Sequence, residues 1–245
     1  MTMERAQARG SISQSEALSK QEIFGRSLLA DLTAASREAL LGLATLERLP
    51  PLHGIAAQGE PPRTFLLLGA GRVKLERLRG ARALPLGHRG PGQMVGETAL
   101  GGAPTATESA WVLDEVQALA IPVVAMRAQL AADAPLRAAV AAAIVRQHRA
   151  LEQRIEALLL HGVEARLAAF LLDAAARWGR LHEGGDVLTA SFTHAEIALL
   201  VGSTRETVTL ILGKLKREGL LAFDRRHIVL RDRAGLAQRV SSPAA

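Results

Sequence analysis

The stretch from residue 191 to residue 221 reads SFTHAEIALLVGSTRETVTLILGKLKREGLL, and its pattern decides the fold of the C-terminal part of the chain. Ile197, Leu200 and Val201 have the spacing of one face of a short helix. Gly202 follows, and glycine readily adopts the tight turn that must precede a second helix. Apolar residues then recur at i, i+3, i+4 and i+7, and these are Val208, Ile211, Leu212 and Leu215. The stretch predicts a helix-turn-helix with one buried face on each helix.

Each predicted helix has a start signal in the sequence. Thr193 and Glu196 fit the T-x-x-E capping box, in which the hydroxyl accepts from a backbone amide and the carboxylate reaches back to the cap. Ser203 and Glu206 fit the equivalent S-x-x-E box one helix later. We therefore expect the first helix to begin after Thr193 and the second to begin after Ser203.

The second helix presents a mixed face outward once its apolar side is buried. That face contains Arg205, Glu206, Thr209, Leu210, Gly213 and Lys214. A helix fits the major groove of DNA, where an arginine can fork onto guanine O6 and N7 and a carboxylate can accept from a cytosine amino group. Arg205 and Glu206, at the start of the helix, are therefore candidates for reading bases.

The segment after Gly219, LLAFDRRHIVL, predicts two short strands that form the wing of a winged helix-turn-helix. Between Ser203 and Arg233 the chain has eight lysines or arginines and four acidic residues. Basic side chains near a recognition helix typically contact phosphates and position the helix. The candidates are Lys214, Lys216, Arg217, Arg225 and Arg226, and Thr193, Ser203, Thr209 and Leu210 complete the predicted DNA-contacting set. The alternative is a solvated charged face on a domain that binds another protein.

Composition excludes several classes of protein. The 245 residues are 49% hydrophobic, which suits one large or two small domains, and a net charge of +6 favours a polyanionic partner. The chain has no cysteine, so disulfides, iron–sulfur clusters, thiolate zinc sites and a cysteine nucleophile are excluded. No apolar run reaches the roughly 18 residues of a membrane span, and the polar start does not look like a secretory signal. We expect a cytoplasmic protein without a membrane segment.

Catalytic motifs are missing from the sequence. It has no G-x-S-x-G, and GAGRVK lacks the G-K-[ST] that closes a phosphate-binding Walker loop. Neither paired carboxylates at catalytic spacing nor a metal-ligand cluster is present. The sequence therefore predicts that the protein is not an enzyme and binds no metal.

Three zones and two tails follow one another along the chain. We expect flexible tails at 1–22 and 236–245, an antiparallel β domain over 23–125, a dimerisation helix over 126–161 and a winged helix-turn-helix domain over 162–235. In the β domain, apolar runs such as RTFLLLGAGRVKLERL and ESAWVLDEVQALAIP are separated by glycine and proline turns. The predicted fold class is α+β.

The dimerisation helix is predicted from a heptad pattern. Its apolar seam has spacings of four, three, four and three, and consists of Ile144, His148, Leu151, Ile155 and Leu158. This spacing is typical of two helices that pair with each other, so we expect a homodimer. The alternative is that the same face packs on the β domain. His148 lies within the seam, where a polar residue more often sets the register than binds a metal.

With these motifs, the chain resembles the cyclic-AMP receptor protein and fumarate–nitrate regulator (CRP/FNR) family of bacterial transcription factors, over about residues 25 to 233. The R-E-T-V core of that family's recognition helix is matched at residues 205–208. The strands GRVKL, GPGQMVGETAL and ESAWV resemble its cyclic-nucleotide-binding β-roll. The resemblance implies one long dimer helix from Val123 to Leu160, a palindromic operator, and DNA and RNA polymerase as partners.

The same resemblance places an effector pocket in the β-roll. Its residues would be Gly96, Glu97, Thr98, Thr107, Ser109, His148 and Glu152. Members that bind cyclic AMP have a Gly-Glu pair followed about ten residues later by Arg-Ser, whose arginine neutralises the cyclic phosphate. Here the later segment, 104–109, reads PTATES and has no arginine. Because Glu108 would repel a phosphate, the sequence argues against cyclic AMP.

Two further departures concern the dimer helix and the recognition helix. The family's purine-contacting Thr-Ser is matched by Leu151-Glu152, and Leu210 stands where relatives usually have an arginine. Leucine cannot donate to guanine but can contact a thymine methyl, so we expect a different half-site. Haem, a cofactor in some relatives, has little support because His53 and His88 stand alone in predicted turns. The effector stays unknown, and a regulator controlled by its abundance alone is equally compatible.

Overall fold

The computed structural model describes residues 17–240, except 81, 183, 225 and 226. In this part of the chain an N-terminal β domain is followed by two helices and a C-terminal α/β domain. The β domain begins with helices α1 (Lys20–Gly25) and α2 (Ala34–Leu43). Its strands are β1 (Thr45–Leu49), β2 (Gly54–Ala56), β3 (Thr64–Ala70), β4 (Val73–Arg79), β5 (Arg82–Arg89), β6 (Met94–Val95), β7 (Ser109–Val112) and β8 (Val116–Pro122).

The strands form two antiparallel sheets that pack face to face. One has the order β1-β8-β3-β6 and the other β2-β7-β4-β5. Leu66 and Leu68 of β3, with Val73 of β4 and Val112 of β7, are buried between them. The alternation of inward and outward side chains along these strands is what lets each sheet bury one face. A short 3₁₀ helix, Glu97–Gly101, follows β6.

The predicted single long helix is wrong, because the chain forms two helices here. Helix α3 (Val123–Ala132) and helix α4 (Ala134–Leu160) meet at 117°. Asp133 ends the first helix and caps the second, since its side chain accepts from the amide of Leu136 at 2.8 Å. Pro135 is the second residue of α4, and proline has no amide to continue the hydrogen bonds of a preceding helix. All residues of the predicted dimerisation seam lie on α4.

The C-terminal domain contains more regular structure than the sequence predicted. Its elements are α5 (Val163–Trp178), β9 (Gly179–His182), β10 (Gly185–Leu188), α6 (His194–Val201), α7 (Arg205–Arg217), β11 (Leu221–Asp224), β12 (His227–Leu230) and α8 (Arg233–Val240). The four strands form one sheet in the order β11-β12-β10-β9. Strands β9 and β10, which the sequence pattern did not predict, form a hairpin ahead of the helix-turn-helix.

Both predicted tails overlap ordered helices. Lys20 begins α1 inside the predicted 1–22 tail, and its cap Ser19 forms a capping box with Glu22. Residues 236–240 belong to α8, where Leu236 is buried in the C-terminal core. The buried residues of these two short helices are Ile23 and Phe24 in α1 and Leu236 in α8. So few apolar residues give no clear helical period, and the sequence pattern did not predict either helix. Residues 1–16 and 241–245 of the predicted tails lie outside the described residues.

Within the described residues, no single helix is long and apolar enough to cross a membrane. The sharply bent pair of α3 and α4 meets the length and composition criteria only when the two helices are counted together.

Candidate DNA interface and effector cavity

Helix α6 begins as its capping box predicted. The amide of Glu196 donates to Thr193 Oγ1 at 3.1 Å, and the amide of Thr193 donates to Glu196 Oε2 at 2.8 Å. The helix ends at Gly202, which has a φ of 64°. A Cβ at Gly202 would lie 2.6 Å from Leu158 Cδ2 of α4. The positive φ of the turn therefore favours glycine, and a Cβ at this position would also require the Leu158 side chain to shift.

Helix α7 begins one residue later than predicted. Its N-cap is Thr204, whose Oγ1 accepts from the amide of Thr207 at 3.2 Å. Ser203 belongs to the turn instead, since its amide donates to the carbonyl of Ala198 at 2.9 Å. The predicted Ser203 box with Glu206 is wrong because Thr204, and not Ser203, takes the cap position in which a hydroxyl reaches the free amides of the first turn. Glu206 is thus left free of a capping role.

The outward face of α7 is exposed at its N-terminal half. Arg205, Glu206, Thr209 and Leu210 are all exposed, and Leu210 keeps 73% of its surface. Val208, Leu212 and Leu215 are fully buried against α5 and α6, so they fix which side of the helix faces out. The face offers one forked cation, one carboxylate, one hydroxyl and one apolar group, which together suit the edges of base pairs.

His194 is part of this face although the sequence did not single it out. Its Nδ1 lies 2.8 Å from Thr209 Oγ1, which also donates to the carbonyl of Arg205 at 2.8 Å. The contact ties the first residue of α6 to the middle of α7. Since the two residues are 15 positions apart, no local pattern in the sequence could have predicted it.

The basic residues near α7 differ in how free their charges are. Lys216 and Arg217 are exposed, and Lys216 Nζ lies 5.8 Å from the centre of the Phe223 ring in the wing. Lys214 is engaged within the domain, because its Nζ donates to Glu164 Oε2 at 2.7 Å. Its charge is therefore already partly neutralised. Arg225 and Arg226 lie outside the described residues.

A cavity of about 210 Å³ lies in the β domain at the predicted effector position. Of the predicted pocket residues, Gly96 and Thr98 line it, whereas Thr107 and Ser109 flank the lining residue Glu108. The remaining lining side chains include apolar groups and the charged residues Glu60 and Arg63. The cavity is therefore a mixed polar and apolar space with carboxylates at its wall.

His148 and Glu152 do not line this cavity within one chain. Both are exposed on α4, where His148 Nε2 lies 3.2 Å from Glu152 Oε1. The structure therefore places them with the heptad seam and not with Gly96 and Thr98.

Glu97 is held by the chain itself. Gln147 of α4 donates to Glu97 Oε1 at 2.8 Å, and Arg89 Nη2 lies 3.4 Å from the same oxygen. Among the described residues, Arg89 Nε and Gln147 Oε1 are buried without a hydrogen-bond partner. The cluster joins the β domain to the dimerisation helix through one carboxylate. Arg89 and Gln147 were missed because nothing in the sequence links positions 50 residues apart.

Glu108 also has partners within the β domain. Arg77 Nη2 lies 3.4 Å from Glu108 Oε2, and Thr107 Oγ1 donates to that oxygen at 2.8 Å. The carboxylate therefore stands beside the cavity in a fixed position. Within the described chain, no group of three or more histidine, aspartate or glutamate side chains could hold a metal ion.

The heptad seam on α4 is an exposed apolar stripe. The exposed fractions are 38% for Ile144, 50% for Leu151, 50% for Ile155 and 41% for Leu158. A stripe of this kind on a 27-residue helix is typical of surfaces that pair with another helix.

Comparison with known proteins gives matches to both domains. A family model described as a cyclic nucleotide-binding domain matches residues 46–133, and one described as a Crp-like helix-turn-helix domain matches residues 165–239. The chain is 34% identical over 201 residues to the transcriptional regulator LdrP of Thermus thermophilus, which covers 80% of this chain and 97% of LdrP.

One further relative and one solved structure are also transcriptional regulators. The CRP-like cAMP-activated global transcriptional regulator of Mycobacterium tuberculosis is 29% identical over 191 residues, or 78% of this chain and 85% of that protein. A crystal structure of a CRP/FNR-family transcriptional regulator from Thermus thermophilus superimposes with a TM-score of 0.67 at 30% identity. The match covers 82% of this chain and 100% of that one.

Proposed function

Because the chain belongs to the CRP/FNR family of bacterial DNA-binding transcription regulators, we propose that it acts as a homodimer on a palindromic operator in the cytoplasm. The observation that carries this proposal is the exposed face of α7, where Arg205 and Glu206 project from the first turn. In a symmetric dimer two copies of α7 present the same face to two half-sites.

Arg205 and Glu206 have the chemistry to specify a G·C base pair. Each lies at the N-terminal end of the recognition helix, which is the part of such a helix that contacts base edges. Among the described residues, neither the Arg205 nor the Glu206 side chain has a hydrogen bond or ion pair, and the carbonyl of Arg205 accepts from Thr209 Oγ1. Leu210, one turn further along, offers an apolar contact for a thymine methyl. Thr193, Ser203 and Thr209 supply hydroxyls, and Lys216 and Arg217 supply charges for phosphates.

The dimer is supported by the stripe of Ile144, Leu151, Ile155 and Leu158 on α4. These side chains are exposed in the single chain and spaced for helix pairing, and burying them against a second copy removes apolar surface from water. His148 and Glu152 lie next to the same stripe, so any effector contact they make depends on the paired arrangement. RNA polymerase is the further protein partner that we propose for the DNA-bound dimer.

We propose that the effector is not cyclic AMP, and that the protein responds to another small molecule or to none. The wall of the cavity includes the carboxylates of Glu60 and Glu108 as well as Arg63, and Glu108 is paired with Arg77. The segment 104–109 supplies no arginine for a cyclic phosphate, and the carboxylate of Glu108 in that segment would repel one. Glu97 is occupied by Gln147 and Arg89. A ribose hydroxyl would have to displace these bonds. Haem stays the less favoured alternative.

Competition between DNA sequences tests the function. An operator is first selected from random DNA, and binding to it is compared with binding to random duplex at several salt concentrations. We expect a specific-to-nonspecific affinity ratio of at least about 10³. Salt-sensitive binding with no preference between sequences would indicate only a basic patch and would overturn base reading.

A further inference from the structure

Arg72 connects the β domain to the DNA-binding domain through its buried side chain. It follows Gly71 in the turn between β3 and β4, and only 3% of its surface is exposed. Its Nη2 donates to the carbonyl of Ser191 at 2.7 Å and to Asp114 Oδ1 at 3.1 Å. Its guanidinium carbon lies 4.3 Å from the centre of the Phe192 ring. One side chain therefore holds a carboxylate of its own domain and two consecutive residues of the other.

Aromatic packing completes the junction. The Phe192 ring stacks with His88 at 6.1 Å and meets Trp178 edge to face at 5.6 Å. Trp178 Nε1 donates to the carbonyl of Gly71 at 3.3 Å, so α5 also forms a hydrogen bond with the β3–β4 turn. Burial, and next the charge of Arg72, lower the pKa of His88 to about 4. His88 is therefore neutral at physiological pH and adds no second positive charge beside Arg72.

The energetics of this junction point to positioning more than to simple stability. A buried guanidinium is costly unless it is well paired, and among the described residues Arg72 Nη1 has no hydrogen-bond partner. An apolar residue could fill the same place without that cost. The guanidinium makes directional hydrogen bonds, and bonds to Asp114 and to the Ser191 carbonyl at the same time favour one relative placement of the two domains.

The position of Ser191 and Phe192 makes that placement relevant to DNA. They directly precede Thr193, the cap of α6, and α7 is packed on α6. We infer that Arg72 is a positioning residue that fixes the orientation of the recognition helix relative to the dimerisation helix, and thereby the spacing between half-sites that the dimer accepts. This inference rests on the proposed dimeric function, since spacing is defined only for two half-sites.

Operators of altered spacing test the inference. The selected operator is compared with versions in which the half-sites are moved one or two base pairs closer or further apart. Wild-type protein should bind the selected spacing best. In Arg72→Met, which keeps the length of the side chain without the fork, the preference for the selected spacing should shrink by about tenfold. Random DNA should bind equally well to both proteins.

Two further variants separate positioning from folding. Arg77→Met removes an arginine of the same β domain that pairs with Glu108 and not with the DNA-binding domain, so its spacing preference should equal that of the wild type. Arg72→Lys keeps the charge beside Asp114 but cannot fork, so it should relax the preference even where Arg72→Met fails to fold.

The outcomes distinguish the inference from the function beneath it. Wild-type protein with no spacing preference would overturn the dimeric operator and the inference with it. If the wild type discriminates and Arg72→Met or Arg72→Lys discriminates equally, Arg72 does not position the helix, whatever the effect on absolute affinity or melting temperature.

Discussion

At the scale of single residues, the start of the recognition helix depends on one hydroxyl. Thr204 Oγ1 accepts from the amide of Thr207, whereas Ser203 lies in the turn ahead of the cap. A cap that is one residue later places Arg205 and Glu206 as the first two residues of the helix. Their side chains therefore project from the N-terminal end of α7, which is the part of a recognition helix that contacts base edges.

The corrected cap gives the first prediction. Thr204→Ala should lower the free energy of unfolding by about 1 kcal/mol, because an amide of the first turn loses its acceptor. Ser203→Ala is the matched control and should cost much less. Urea unfolding of both variants measures the difference. An equal or larger loss in Ser203→Ala would return the cap to Ser203.

His88 gives the second prediction. Its pKa of about 4 lies below its ordinary value of 6.5, so the folded protein binds fewer protons than the unfolded chain between these pH values. The contribution of neutral His88 to the free energy of unfolding is therefore fully present above pH 6.5. It is lost as the pH decreases towards 4, which lowers the free energy of unfolding by up to about 3 kcal/mol. His88→Phe keeps a ring against Phe192 but removes the titration, so its unfolding free energy should fall less steeply over this range.

Other charged groups facing His88 modulate the effect without reversing it. Arg72 and Lys74 disfavour its protonation, and Glu196 and Asp114 favour it. Urea unfolding at a series of pH values measures how the free energy of unfolding depends on pH in the wild type and in His88→Phe. Parallel curves for wild type and His88→Phe would show that His88 does not titrate in this range.

At the scale of elements, α4 carries an apolar surface that the chain leaves uncovered. Leu151 and Ile155 belong to it, each half exposed. Arg154 lies between them and turns inward, donating to the carbonyl of Leu86 in β5 at 3.1 Å and to that of Leu200 in α6 at 2.9 Å. The helix therefore bonds to both domains through Arg154, while Leu151 and Ile155 stay half exposed.

This two-sided helix gives the third prediction. Leu151→Lys with Ile155→Lys should produce monomers and weaken operator binding, because lysines from both copies would meet in a buried seam. Ala150→Lys with Gln153→Lys is the matched control, since both positions lie on α4 outside the seam. Sedimentation at several concentrations reads the result. A dimer that survives the Leu151 and Ile155 changes would remove the paired-helix account.

The elements also show what the sequence could predict. The α6 capping box, the Gly202 turn and the wing strands depend on residues close together in the chain, and each was predicted. The break at Asp133 was missed because the alanine-rich sequence on both sides is strongly helical. The contacts of Arg72 with Ser191 and of Gln147 with Glu97 join residues 119 and 50 positions apart. No local pattern contains such information.

At the scale of the whole molecule, polar bonds join the β domain, α4 and the DNA-binding domain. Glu97 binds Gln147 of α4, Arg154 of α4 binds the DNA-binding domain, and Arg72 binds that domain directly. Each of these bonds is made by the chain's own side chains. The bonds therefore connect the β domain to α4, and both of these to Ser191 and Leu200, which lie ahead of α7 in the chain.

The fourth prediction follows from these bonds and from the charge of the cavity. Cyclic AMP at millimolar concentration should leave the melting temperature and the operator affinity unchanged, because segment 104–109 has no arginine for the phosphate and places Glu108 at the cavity wall. A ligand that binds the folded protein raises its melting temperature as it saturates the site. A saturable upward shift with cyclic AMP would mean that the cavity accepts the phosphate.

The most direct test of the account is selection of binding sites from random DNA by the wild type and by Arg205→Ala. The wild type should enrich an inverted repeat. Arg205→Ala should lose about 1 to 3 kcal/mol on that sequence and nearly all discrimination at one base pair of each half-site. Lys216→Ala, as control, should weaken all sequences alike and lower the salt slope by about one. If Arg205→Ala enriches the same motif with the same preference at every position, α7 does not read the bases.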